Sequence, residues 1–172
     1  MPSSKVGKIG GSIPIATVTI KDGSNSYSNY VFYYSNENTL TWVKGTDGNT
    51  YSPSVVNVNS ATVDVPDYES PLAATAWQDR DGNPGSIRVY YVDASYHIQE
   101  LIGDINGDGS VNWKKGGLSD KLYQIRVGSG ISASSGKNGT LRVFFISRSS
   151  PSKITEAYFT NASSKWEAKT IE

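Results

Sequence analysis

Pro71-Leu72-Ala73-Ala74-Thr75-Ala76-Trp77, Ile87-Arg88-Val89-Tyr90-Tyr91-Val92 and Ile98-Gln99-Glu100-Leu101 follow one another in the middle of the chain, and their reading decides the fold. Each is a short run of apolar and polar residues with a period near two, closed off by Gly, Asn, Asp or Ser, which is the pattern of a β-strand. Asp81-Gly82 separates the first two and supplies the turn chemistry of a hairpin.

The same order recurs on both sides. Upstream, Pro14-Ile15-Ala16-Thr17-Val18-Thr19-Ile20 overlays Pro71–Trp77 at an offset of 57, and Val31-Phe32-Tyr33-Tyr34 overlays Arg88-Val89-Tyr90-Tyr91 at the same offset. Downstream, Arg142-Val143-Phe144-Phe145 lies 54 residues on, Ile154-Thr155-Glu156-Ala157 lies 56 beyond Ile98–Leu101, and Trp166 lies 53 beyond Trp113. Three copies of about 57 residues fill the 172 of the chain, at approximately 5–65, 66–122 and 123–172. Each copy reads as a small-residue strand, an aromatic strand, a third strand that bears Glu in copies two and three, and a short fourth strand. A repeated four-stranded sheet of this length predicts an all-β chain built as β-propeller blades. A β-sandwich made by duplication is the competing architecture. The remaining turns, Asp22-Gly23, Asp47-Gly48 and Lys137-Asn138-Gly139, are expected to join hairpins, and no stretch carries a convincing helix period.

Composition agrees and excludes several functions. Seventeen Gly, eleven Tyr and four Trp beside a single Met favour pleated strands. Sixteen Lys+Arg balance sixteen Asp+Glu, which leaves no field to hold nucleic acid or an anionic membrane. Cysteine is absent, so disulfides, thiolate metal sites and a Cys nucleophile are excluded. With no signal-type apolar region and no run of eighteen apolar residues, no membrane insertion is expected, and the sequence points to a cytoplasmic protein or one secreted without a conventional signal peptide.

Ser70–Trp77 with Ile87–Val92 and Ile98-Gln99-Glu100 resembles the blade signature of the fungal fucose-specific lectins, which are six-bladed propellers. The third copy, Gly128-Ser129-Gly130-Ile131 followed by Leu141–Phe145 and Ile154-Thr155-Glu156, is similar to it, and Arg and Glu twelve residues apart on successive strands is its narrow requirement. The resemblance implies a sugar site between neighbouring blades, with Arg and Glu from one blade and an aromatic platform from the next. By position, Arg88 and Glu100 match the polar pair and Trp166 with Phe159 the platform. Arg142 and Glu156 match a second pair, although two extra residues around Ser149-Ser150-Pro151 are expected to displace Glu156. Its platform must come from the first copy of another chain, where Tyr51 is the nearest equivalent. Three blades would leave two open edges, so a homodimer completing a six-bladed ring is expected. The first copy carries Val31 at the Arg position and Trp42 at the Glu position, which predicts an empty cleft there.

The chemistry is that of sugar binding apart from any resemblance: vicinal hydroxyls need a donor fork and a charged acceptor, and a C–H face needs an aromatic surface. An ordinary cross-strand ion pair is the plainer account of each Arg and Glu. Three functions are separable: a non-catalytic lectin for fucosylated glycans, a structural or protein-interaction propeller with decayed sites, and a glycosidase using Glu100 or Glu156. Against the last, a neighbouring guanidinium is expected to lower the carboxyl pKa and spoil a general acid.

Other patterns read as turns. Asp104, Asn106 and Asp108, with Gly109 next, resemble the start of a calcium loop, yet Lys115 stands where a bidentate carboxylate belongs, so no cofactor is expected. Ser35–Trp42 echoes an Asp-box turn. His97 reads as exposed and idle, and Asn138-Gly139-Thr140 and Asn161-Ala162-Ser163 as loop residues.

Overall fold

The computed structural model describes residues 13–21, 27–46, 51–66, 69–77, 85–136 and 139–171. Three four-stranded antiparallel sheets follow one another along the chain. The first holds β1 (Ala16–Lys21), β2 (Tyr27–Tyr34), β3 (Leu40–Thr46) and β4 (Ser52–Val55). A two-stranded hairpin, β5 (Asn57–Val58) and β6 (Ala61–Thr62), lies in the connection to the second sheet. That sheet holds β7 (Ala73–Trp77), β8 (Ser86–Val92), β9 (Ile98–Ile105) and β10 (Val111–Lys115). The third holds β11 (Ile131–Ser135), β12 (Leu141–Ile146), β13 (Ile154–Thr160) and β14 (Lys165–Ile171). Two features of the described residues have no counterpart in the sequence reading, the β5–β6 hairpin and a 3-10 turn over Gly117–Lys121. Asp22-Gly23, Asp47-Gly48, Asp81-Gly82 and Lys137-Asn138 lie outside the described residues.

Strands pair in chain order within each sheet, and β7 packs against both β1 and β11, so the first strands of the three sheets stand side by side as at a propeller axis. Packing between sheets supplies the core. Tyr30, Phe32 and Leu40 of the first blade meet Ile87, Val89 and Leu101 of the second. On the opposite face of the second blade, Tyr90, Val92 and Ile98 meet Val143, Phe145, Ala157 and Trp166 of the third. Both faces of β8 are thereby buried, which is why Ile87–Val92 is nearly continuous in apolar residues rather than cleanly alternating. Among the described residues no helix is long and apolar enough to cross a membrane.

Registers align the copies. Tyr90 lies opposite Glu100 as Phe144 lies opposite Glu156, so the longer turn of the third blade is absorbed outside the sheet and does not displace Glu156, contrary to expectation. In the first blade Phe32 lies opposite Trp42, which puts Trp42 at the Glu position as read. The Arg position, two residues before Phe32, is Tyr30. The overlay on Val31 is one residue out, and because strand side chains alternate, that slip puts Val31 on the other face.

The turn between second and third strands also repeats. Asp93 Oδ1 accepts the N–H groups of Ser95 (2.8 Å) and His97 (3.0 Å), and Ser35 Oγ accepts those of Glu37 (3.2 Å) and Thr39 (3.3 Å). This is the place of the Asp-box echo. His97 is half-buried in it rather than exposed, with its Nδ1 3.7 Å from Asp93 Oδ1 and its backbone bridged to Gln124.

Candidate functional site

The second and third blades enclose a cleft of about 320 Å³ lined by Arg88 and Glu100 on one side and by Leu141, Phe159 and Trp166 on the other. Four of the seven residues singled out from the sequence therefore meet in one place. Alternation along β8 and β9 aims Arg88 and Glu100 at the third blade, and the pairing of Phe159 with Trp166 on β13 and β14 forms the facing wall, their rings 5.8 Å apart.

Glu100 is held from several directions, with only 2 % of its side chain exposed. Its Oε1 lies 3.3 Å from Arg88 Nε and accepts the Tyr90 hydroxyl at 3.4 Å, while Oε2 accepts the Leu118 N–H at 3.0 Å. The Trp166 indole stands beside it and favours its charged form. Leu118 belongs to the 3-10 turn, brought over the carboxylate because Gly116 has no side chain: a Cβ there would collide with Glu100. Burial pushes the Glu100 carboxyl above its usual range, and the Leu118 N–H, Arg88, Trp166 and Tyr90 only partly counter it. The expectation that Arg88 would depress this group is thus reversed, because desolvation outweighs the single guanidinium.

Arg88 is 12 % exposed and itself fixed. Its guanidinium lies over the Trp77 ring at 4.3 Å, and Nη1 donates to Ser86 Oγ at 2.5 Å. Burial lowers its pKa from the ordinary value, with Glu100 opposing. Trp77 and Ser86, paired at the edge of the β7–β8 ladder, are functional neighbours that the sequence reading missed, although Trp77 ends the very strand that defines the repeat. Leu118, Asp120 and Lys121 gave no signal, since they lie in a connection without period.

The second set is split between two faces. Arg142 and Glu156 lie on the outward face of the third blade, where Arg142 is 54 % exposed. Arg142 Nη1 bonds Glu156 Oε1, and Lys169 Nζ lies 3.0 Å from Oε2. Burial raises the Glu156 carboxyl, but the hydrogen bonds from Lys169 and Arg142 together outweigh it and hold the group below its usual range. Tyr51 lies away from them, on the outward face of the first blade. Its ring covers Gly45 as Trp113 covers Gly103, and a Cβ on either glycine would strike the ring. Tyr51 thus occupies the platform position of its blade.

Between the first and second blades the equivalent cleft is filled. Tyr30 and Trp42 stack at 5.5 Å, Trp113 meets Trp42 edge-on at 6.3 Å and Phe32 at 5.8 Å, and Lys44 lies over Tyr30 at 5.8 Å. Trp113 Nε1 is buried with no partner, whereas the equivalent Trp166 stands beside the Glu100 carboxylate. Trp42 has replaced the acceptor.

At the Asp104 loop, Asp104 Oδ2 takes Lys114 Nζ at 2.6 Å, and Asp108 Oδ1 takes the N–H and hydroxyl of Ser110 at 2.9 and 2.6 Å. Asn106 bonds Ser110 Oγ at 2.8 Å. Among the described residues no group of three or more His, Cys, Asp or Glu is placed to hold a metal ion.

No family model and no curated protein matches the chain. Solved structures do. The structure of AofleA from Arthrobotrys oligospora superposes with a TM-score of 0.70 at 21% identity, over 92% of this chain and 41% of that one. The lectin of Aleuria aurantia, described as a six-bladed β-propeller with a novel fucose recognition mode, gives 0.67 at 22% identity, over 90% and 47%. This is the fold of a six-bladed propeller, present as three blades. A fucose lectin from Kordia zhangzhouensis, solved with methyl-fucoside, gives 0.65 at 20% identity over 91% of this chain and 97% of its own. The three-blade chain spans about half the length of the fungal lectins it matches and nearly all of the Kordia protein.

Proposed function

We propose that the chain is a non-catalytic lectin that binds fucosylated glycans between its second and third blades. The observation that carries this reading is the cleft itself, in which a fixed guanidinium and carboxylate face two aromatic rings across about 320 Å³. That volume is at the small end of ligand pockets, roughly 300–1,000 Å³, and suits one sugar ring. Arg88 presents a donor fork to vicinal hydroxyls, Glu100 adds a charged acceptor, and Phe159 with Trp166 offers a surface to the C–H face and methyl group. The propellers it resembles in fold include lectins solved with methyl-fucosides, which supports fucose as the ligand. Hydrolysis is disfavoured because the other carboxylate of the cleft, Asp120, is paired with Lys115 at 3.3 Å and Glu100 is tied down by Leu118, Tyr90 and Arg88. Calorimetry with methyl α-L-fucoside should show binding in the micromolar to millimolar range, about −8 to −4 kcal/mol. Loss of the heat in Arg88→Ala supports the assignment, and equal heats in both proteins overturn it.

The same proposal includes a homodimer that closes the ring. The outward face of the third blade repeats the buried face of the second, with Phe144, Ile146, Ile154 and Glu156 at the register positions of Tyr90, Val92, Ile98 and Glu100. Ile98 is buried, yet Ile154 is exposed. The outward face of the first blade repeats the surface that the third turns to the second, with Val31, Tyr33, Val43 and Tyr51 in place of Val143, Phe145, Ala157 and Trp166. The two open faces are complementary halves of a contact the chain already makes twice, and a two-fold axis joins both pairs at once. Arg142 and Glu156 would then meet the partner's Tyr51 in a second, weaker site. Light scattering should give twice 18.6 kDa, and a stable monomer at that mass overturns the ring.

A further inference from the structure

The contact between the second and third blades opens at its other end into a larger cavity of about 790 Å³. It is distinct from the cleft of Arg88. Along β12 the cleft ends at Leu141 while this cavity begins at Phe145, four residues and roughly 13 Å further on. Its walls are the β8–β9 turn at His97, the connection Leu122-Tyr123-Gln124, the Ser147-Arg148-Ser149 turn, and Thr155 and Thr170 on β13 and β14.

Three features mark it. Thr155 is buried, 7 % exposed, and its Oγ1 has no hydrogen-bond partner, an expense that a folded protein ordinarily avoids. Leu122 is held at φ 53°, a left-handed conformation unfavourable for a residue with a Cβ, and yet its apolar side chain stands 60 % exposed at the rim. Tyr123, half-buried, lies against the core ring of Phe145 with centroids 6.2 Å apart and planes inclined by 33°, and gives the cavity an aromatic wall.

The charge of the cavity is one-sided. Arg148 makes no ion pair among the described residues, whereas no carboxylate lines the walls. Lys169 contributes only its stem, since its ammonium bonds Glu156 on the outer face. The carboxylates nearby are engaged, Asp93 by the turn it caps and Glu167 by the Tyr158 hydroxyl at 2.6 Å. Arg126 stands beside Arg148 at the neighbouring surface, its guanidinium on the Pro151 carbonyl.

We propose that this cavity is a second ligand site, for a saccharide ring that carries a carboxylate or sulfate. Tyr123, backed by the buried Phe145, and Leu122 receive the C–H face, Thr155 Oγ1 regains a partner in a ring hydroxyl, and the Arg148 fork takes the anion. Such a site lets one protein read a neutral fucose and an acidic sugar at opposite ends of one blade contact.

Calorimetry on the whole protein, with methyl α-L-fucoside at saturation, tests it using the methyl glycoside of N-acetylneuraminic acid, glucose 6-sulfate and neutral methyl α-glucoside. Binding of either acidic sugar that fucose does not displace is expected, and which one binds tells carboxylate from sulfate. Arg148→Ala should lower that affinity at least about tenfold with its melting transition unchanged, as for a charge-assisted bond on an exposed turn. Thr155→Val should weaken binding while raising the melting temperature, because an orphaned hydroxyl is removed. A purely structural threonine would not move the two in opposite senses. Failure of both acidic sugars to bind, equal binding of methyl α-glucoside, displacement by fucose, or full affinity in Arg148→Ala overturns the proposal. Apart from the displacement arm, these outcomes do not depend on fucose binding in the first cleft, since the same titrations can be run without fucose.

Discussion

Arg88→Ala removes the cation beside a carboxylate that is almost wholly out of solvent, and its cost can be worked from the contacts around it. Breaking a buried ion pair from one side costs about 3–5 kcal/mol, because the remaining charge is left uncompensated. Glu100 keeps the Leu118 N–H and the Tyr90 hydroxyl, which points to the lower end of that range. The lost packing of the guanidinium on Trp77 adds about 0.5–2 kcal/mol. For a chain of this size each kcal/mol moves the melting temperature by about 2–4 °C, so a fall of roughly 10 °C at pH 7 is expected. A pH signature accompanies it. Glu100 already titrates above its usual 4.5 owing to burial, and without Arg88 it titrates higher still. A carboxyl whose folded pKa exceeds its unfolded value destabilises fully above the folded pKa, and the penalty is relieved as pH falls through it. The deficit of Arg88→Ala against wild type should therefore shrink from pH 7 towards pH 4.5, and Glu100→Gln in the Arg88→Ala background should recover much of the loss by removing the stranded charge. Thermal unfolding of the three proteins at a fixed concentration and several pH values reads all of this. An unchanged melting temperature, a deficit independent of pH, or a double variant less stable than Arg88→Ala would refute the reasoning.

Chelation should leave the melting temperature and sugar binding unchanged, since Asp104 is engaged by Lys114 and Asp108 by Ser110; a fall of many degrees with EDTA would show a structural ion in that loop. Native mass spectrometry at rising methyl α-L-fucoside should count at most two sites per chain, because Tyr30 and Trp42 fill the cleft between the first two blades, and a third equal site would contradict that packing. Val31→Asp puts a charge on the outward face of the first blade and should halve the mass seen by light scattering at dilute concentration. A dimer that survives it would place the interface elsewhere.

Much of this was written in the chain. Apolar periodicity near two along Pro71–Trp77 and Ile87–Val92, repeated about 57 residues either side, sufficed for three four-stranded blades, because strand pairing between sequence neighbours depends on local pattern. The repeat also carried Arg88, Glu100, Phe159 and Trp166 to facing positions, since side chains at equal register in equal sheets must point the same way. What it did not carry was anything that depends on a shift of one residue or on a connection. Val31 and Tyr30 are adjacent in sequence but lie on opposite faces, so only the pairing of Phe32 with Trp42 shows that Tyr30 holds the Arg position and closes the first cleft. Leu118 comes from a segment with no period, and it reaches Glu100 because Gly116 leaves room for the carboxylate. The direction of the Glu100 shift was hidden for the same reason. A neighbouring arginine is visible in a sequence, whereas the desolvation that outweighs it exists only once the third blade has packed over the second.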